Sequence, residues 1–193
     1  MKLLLVRHGA TEWSANGRHT GSTDLPLTDH GRMQAQSSRQ RVKGLIGSST
    51  WRAWSSPLLR ARTTAEIVLG GASFATDHRI VEFDYGDFEG LTTAQIIETH
   101  PGWTVWQGCP GGETVADVVR RVDSFLAEVR ATNSQVAIVF AHGHLLRILG
   151  SRAVGQPGEF GLHLGLDTAA VCEIDDLRDG TAITLWNDTR SSA

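Results

Sequence analysis

Two hydrophobic periods divide the chain. Residues 2–7 and 135–141 are short, nearly unbroken aliphatic runs, the pattern of strands covered on both faces, and 51–55 reads as a third such strand. Between them lie stretches of helical period: about 28–46, 57–69 with Pro57 placed to open the helix, and 144–154. A further helix runs from Glu113-Thr114 to Ala131, its apolar stripe carried by Val115, Val118, Val119, Val122, Leu126 and Val129. Alternation of strand and helix implies crossover connections and a mainly parallel sheet. The end of the chain breaks the alternation: residues 169–175 and 181–186 flank Asp176-Leu177-Arg178-Asp179-Gly180, a turn signal for a hairpin. The expected fold is therefore an α/β three-layer sandwich whose sheet is mixed at one edge and flanked by helices.

With 193 residues the chain fits one domain, expected over 1–189 with a disordered tail at 190–193. Residues from about 84 to 113 interrupt the alternation with Trp103, Trp106, Gly108, Cys109, Pro110, Gly111 and Gly112, which suggests a cover over a site. Those tryptophans suit either contact with an organic substrate or anchoring of the loop to the core. A net charge of −3 provides no basic field for nucleic acid, and the apolar runs are too short for a membrane span. The start Met1-Lys2 leads directly into a strand, so a cytoplasmic location is expected. Cys109 and Cys172 are too few for a disulfide scaffold and lack metal-site spacing, so both are expected as thiols.

Chemistry concentrates where strands end. The first run closes on Arg7-His8-Gly9, the second strand leads to Ser56-Pro57-Leu58-Leu59-Arg60, and the third closes on His142-Gly143-His144. Catalytic groups of open α/β sheets gather beyond the carboxyl ends of strands. Each group taken singly is also an ordinary polar strand end; the three together carry the signal.

These segments resemble the histidine phosphatase superfamily, in its phosphoglycerate-mutase-like branch, through Arg-His-Gly, Ser-Pro-Leu-x-Arg-Ala and a late His-Gly in the same order. The likeness continues through 17–21, 25–31 and 81–90, and is greatest to small acid phosphatases and sedoheptulose-bisphosphatase-like members. It implies a phosphoglycerate-mutase-like fold and phosphoryl transfer through a phosphohistidine, without metal or other cofactor, on small phosphorylated sugars or sugar acids. His8 becomes the nucleophile, reactive when neutral, with its other nitrogen donating to a carbonyl of the glycine-containing turn. Arg7 and Arg60 offer guanidinium forks to the phosphate, and His142 stabilises charge on the transferring group. The backbone N–H of Gly143, at a helix start, adds a donor.

The departing alkoxide needs a carboxylic acid. The family pattern favours Glu82, while composition leaves Glu89 and Asp84 open. Carried over residue by residue, Thr11, Thr20, Gly21 and Tyr85 match substrate-side positions. Ser14 joins that set although mutases have asparagine there. His144 also departs from the mutase pattern, and the mutases' insertion bearing an arginine pair is missing; Arg120-Arg121 falls instead on a helix face expected to be solvated. Hydrolysis is thus favoured over phosphomutase activity. Two other readings stay open: a metal-dependent hydrolase using His142, His144 and His8, and a silent binder of phosphate ligands. The expected partner is a small phosphorylated substrate, without nucleic acid or membrane, and a homodimer is the assembly considered.

Overall fold

The computed structural model describes residues 1–190. Its core is a six-stranded sheet ordered β3-β2-β4-β1-β5-β6, made of β1 (Lys2–Arg7), β2 (Trp51–Ser55), β3 (Ala75–Thr76), β4 (Val136–Ala141), β5 (Val171–Leu177) and β6 (Gly180–Asp188). β1 pairs with β4 in parallel, Lys2 opposite Val136 and Arg7 opposite Ala141, and β2 runs parallel to both β4 and β3. β5 lies antiparallel to β1 and β6 antiparallel to β5, which gives the mixed edge and the hairpin.

Alternate side chains of each strand enter different cores. Leu4 and Val6 join Ile138, Phe140, Ala35, Val42, Ala65 and Val68 on one face, under α2 (Asp29–Ile46) and α3 (Leu59–Leu69). Leu3 and Leu5 join Val139, Val118, Val122, Phe125 and Leu145 on the other, under α5 (Val115–Arg130) and α6 (Gly143–Ala153). Both central strands are buried on both faces, which is why they read as unbroken aliphatic runs. Three layers follow directly: helices, sheet, helices.

Thr28 and Thr114 cap α2 and α5, each hydroxyl accepting a backbone N–H three residues on, and α5 has a full capping box with Asp117. α3 begins two residues later than expected: Leu58 is its cap, and Pro57 belongs to the turn before it. The segment 84–113 contains more regular structure than its composition suggested. It holds a short helix α4 (Thr93–Thr99) and single 3₁₀ turns at Gly86–Phe88 and Val105–Gln107. A four-residue α1 (Glu12–Ala15) follows the first strand end. The expected tail at 190–193 falls mostly outside the described residues; Arg190, its first member, is tied to Asp188 by backbone and guanidinium bonds.

The cover segment is anchored rather than free. Trp103 is buried, donates its indole N–H to Gly108 O (2.9 Å) and packs edge-on against Phe88. Trp106 lies under the Arg147 guanidinium at 4.8 Å. Gly112 is required by close approach, since a Cβ there would sit 2.3 Å from the Asp84 carbonyl oxygen and 2.7 Å from Gly86 N. Cys109 and Cys172 are both buried free thiols, and burial pushes each up to about 12.

Candidate active site

The carboxyl ends of β1 and β4 are neighbours in register, so the residues that follow them meet. His8 and His142 lie with ring centroids 5.2 Å apart and planes tilted by 60°. His8 Nδ1 is 2.8 Å from Gly9 O, the glycine-turn carbonyl expected of it. Burial holds His8 well below its ordinary value of 6.5, reinforced by the positive charges of Arg60 and Arg7. The ring is therefore neutral, its Nδ1–H donates to Gly9 O, and Nε2 keeps its lone pair.

Around it lies a cavity of about 190 Å³ whose wall includes Arg7, His8, Glu82, Tyr85, Gly143 and His144. Ser14 and Thr20 also face it, as do Arg18, His19 and Arg147. Volume alone does not mark the site: a larger cavity of about 580 Å³ lies beside α2 and α3, lined by Gln36, Lys43, Trp51 and their neighbours without a candidate nucleophile.

Arg7 Nη1 donates to Leu166 O at 2.5 Å, while Nε is buried without a partner among the described residues. Gly143 makes room for this guanidinium, because an added Cβ would lie 3.3 Å from Arg7 Cζ. Glu82 lines the same cavity with its carboxylate on the amino end of α6. Oε1 accepts from Phe83 N and Leu145 N, each at 2.9 Å, and Oε2 accepts from His144 N at 3.2 Å. The competing carboxylates are engaged elsewhere: Glu89 accepts from Gly21 N and Thr23 N, and Asp84 from Gly86 N. Neither lines the cavity.

Arg60 and His142 are placed differently from the expectation of direct clamps. Both are 0% exposed, and neither is among the residues that line the cavity. Arg60 donates Nε–H to His142 Nδ1, one Nη1–H to Thr23 O, and its Nη2–H groups to Thr20 O and Gly21 O. Among the described residues only its second Nη1–H is left without a partner. The bond from Arg60 makes His142 Nδ1 an acceptor, so Nε2 carries the proton toward Ser56 Oγ at 2.8 Å. Burial and then the Arg60 charge hold His142 well below 6.5.

Two expected substrate contacts are redirected. Thr11 is 1% exposed and spends its hydroxyl capping α1, accepting from Ser14 N, so it does not reach the cavity. Gly21 is a close-approach glycine, but to protein: its Cβ would meet Phe83 O at 2.7 Å and Glu89 Oε2 at 2.8 Å. Ser14 faces the cavity with its hydroxyl tied to Thr11 N and Thr11 O.

Sequence reasoning passed over Arg18, His19 and Arg147. Arg147 had a readable signal: it lies three and four positions after His144 and Gly143, on the same face of α6. Tyr85 and His144 form a pair, hydroxyl to Nδ1 at 2.7 Å. Burial keeps the phenol protonated, well above 10, and the imidazole neutral, well below 6.5. The phenol thus donates, which leaves His144 Nε2–H as a donor. Arg121 also departs from expectation. Arg120 is the solvated member of the pair, whereas Arg121 is largely buried, ion-paired to Glu113 and bonded to the Val81 carbonyl.

Among the described residues, no group of three or more His, Cys, Asp and Glu side chains is arranged to hold a metal ion, and no helix is long and apolar enough to cross a membrane.

The family model described as "Histidine phosphatase superfamily (branch 1)" matches residues 3–189. An acid phosphatase of Mycobacterium tuberculosis is 40% identical over 172 residues, 88% of this chain and 84% of that protein. A sedoheptulose 1,7-bisphosphatase of Saccharomyces cerevisiae is 34% identical over 175 residues, 76% of this chain and 65% of that protein. Among solved structures, the product of an open reading frame of Mycobacterium tuberculosis superposes with a TM-score of 0.90 at 36% identity, covering 96% of both chains. The two neighbouring strand ends, the family match across nearly the whole sequence and the overlap with phosphatase relatives lead to one assignment: the chain is a phosphatase of the histidine phosphatase superfamily, branch 1.

Proposed function

We propose that the chain hydrolyses small phosphomonoesters without a metal, through a phosphohistidine on His8. The observation that carries this is the state of His8: a neutral ring with Nδ1–H held by Gly9 O, Nε2 without a hydrogen bond among the described residues, and a place on the same cavity wall as Arg7. His8 Nε2 attacks phosphorus while Arg7 and the Gly143 N–H hold the equatorial oxygens. Arg60 and His142, buried next to His8, stabilise the transferring charge. Glu82 gives its proton to the leaving oxygen, then takes one from the water that cleaves the P–N bond and restores neutral His8. Oε2 is the suited oxygen, because Oε1 already accepts two backbone N–H groups.

The substrate reading is a phosphorylated sugar or sugar acid of small size. Among the described residues Glu82 is the one carboxylate on the cavity wall, against Arg7, Arg18 and Arg147. Arg18 and Arg147 lie over Trp13 and Trp106, which hold their charge at the cavity without neutralising it. Hydroxyls fit Thr20, Tyr85 and the His144 Nε2–H. A metal-dependent reading is disfavoured by the rings themselves: His142 is bonded through both nitrogens to Arg60 and Ser56, and His144 is turned to Tyr85.

The test is a panel of sugar mono- and bisphosphates, phosphoglycerates and an aryl phosphate, assayed with chelator for released phosphate and for isomerised product. Phosphate release, together with a phosphorylated His8 found by mass spectrometry after alkaline quench, is expected. Isomerised product without release would make the chain a mutase, and activity that requires a specific metal would sink the scheme. His8→Ala should abolish turnover without unfolding the chain; wild-type rates in that variant would refute it.

A further inference from the structure

Glu82 is fixed from behind by groups that never touch the cavity. The Arg121 guanidinium donates Nη1–H groups to the carbonyls of Arg79 (2.7 Å) and Val81 (2.8 Å), and an Nη2–H to the carbonyl of Glu82 itself (3.1 Å). Its remaining face forms a two-point ion pair with Glu113, Nε to Oε1 at 2.8 Å and Nη2 to Oε2 at 2.9 Å. Glu113 Oε2 in turn accepts from Asp84 N, and Glu113 N donates to Asp84 O, both at 2.9 Å. The backbone is thus gripped on each side of Glu82, at 79–82 by the arginine and at 84 by the glutamate. The pair is largely buried, with side chains 15% and 22% exposed, so its bonds are shielded from water.

We infer that Arg121 and Glu113 are positioning residues for the reaction, a rigid clamp that sets where the Glu82 carboxyl meets the leaving oxygen. The inference rests on the reading of Glu82 as general acid and base. Arginine is needed because one planar group must satisfy three carbonyls and a carboxylate at once; a lysine ammonium has only three donors and no fork. The clamp also explains why the cover segment ends in Gly111-Gly112-Glu113: Gly112 lets the strand of cover approach Asp84 closely enough for Glu113 to bond both ways.

The experiment compares wild type, Glu82→Gln, Arg121→Lys and Glu113→Gln on aryl phosphates of graded leaving-group acidity and on an alkyl phosphate, measuring kcat and KM separately, with thermal melts for each variant. Loss of a general acid hurts poor leaving groups most. Arg121→Lys and Glu113→Gln should therefore lower kcat/KM, which reports phosphoryl transfer from substrate to His8, by about ten- to a hundredfold on the alkyl phosphate. On the most acidic aryl phosphate kcat/KM should fall by no more than about threefold, while kcat falls there too, because hydrolysis of the shared phosphohistidine also uses Glu82. A purely structural role would lower kcat/KM on all substrates alike, and that result overturns the inference, as does a wild-type leaving-group dependence of kcat/KM in both clamp variants when Glu82→Gln shows a steepened one. If Glu82→Gln shows no steepening, the assignment of Glu82 falls and the clamp's catalytic role with it. Should Arg121→Lys fold poorly, Glu113→Gln, which keeps every bond to the backbone carbonyls, decides the question alone.

Discussion

Replacing Gly143 by Ala separates the placement of Arg7 from the stability of the fold. An added Cβ lies 3.3 Å from Arg7 Cζ, 3.4 Å from Nε and 3.6 Å from Nη2. The first contact is tighter than ordinary packing, so the guanidinium must retreat by a few tenths of an ångström. It is not free to swing, because Nη1 is anchored on Leu166 O. Gly143 is the first residue of α6 and is not among the residues of positive φ, so alanine meets no backbone strain there. Glycine to alanine inside a helix favours the fold by about 0.5–1 kcal/mol, and less at a terminus. A misplacement of about 1 Å in a reacting group costs on the order of a hundredfold in rate. A shift of a few tenths scales to a fall of roughly three- to tenfold in kcat/KM. Steady-state kinetics on an aryl phosphate with a parallel thermal melt reads both quantities. Unchanged kcat/KM would show that the guanidinium does not hold the transferring group, and a melting temperature lowered by several degrees would place the damage in the fold instead.

Three other outcomes are expected. Because His8 is held neutral well below 6.5, kcat/KM should show no acid limb with a midpoint near 6.5 once the substrate's own titration is removed; such a midpoint would mean an exposed, unperturbed nucleophile. For stability the sign is the same for His8, His142 and His144: the unfolded imidazole takes a proton at 6.5 while the folded one resists, so stability is full above that pH and falls below it, toward the lower folded values. Each adds a slope of up to about 1.4 kcal/mol per pH unit, and denaturant melts from pH 7 to pH 5 that show no decline would refute it. Gly112→Ala drives a Cβ into backbone at 2.3 Å and should destabilise by at least about 1–3 kcal/mol, seen as a lowered thermal midpoint.

Much of this arrangement was readable from the chain, for identifiable reasons. β1 and β4 are central strands covered on both faces, so their aliphatic runs and the chemistry behind them stand out. The helix starts expected at about 28 and at 113–114 fall beside the observed ones, although the capping by the Thr28 and Thr114 hydroxyls was not among the signals read. α4 was not readable, because only Ile96 among its seven residues is buried and a single apolar position shows no period. Thr11 was assigned to substrate although Thr11-x-x-Ser14 is itself a capping pattern, and the hydroxyl had a nearer partner than any ligand. The inward placement of Arg60 and His142 depends on the carbonyls of the 20–23 loop turning onto the guanidinium. Arg121 looked like half of a charged pair on a helix, and its partners are main-chain oxygens about 40 positions away, which no side-chain pattern announces.

The pairing of β1 with β4 also governs when the enzyme can exist. The two histidines, at positions 8 and 142, are far apart in sequence and meet only when Lys2–Arg7 has zipped beside Val136–Ala141, among the most distant strand pairings in the chain. No fragment ending before β4 can contain the site, and a chain still emerging from the ribosome is inert until β4 and the residues after it have been made. Closing so long a loop belongs to the slow part of folding. Recovery of turnover after dilution from denaturant should therefore lag behind recovery of helical signal, so that catalysis reports the completed sheet.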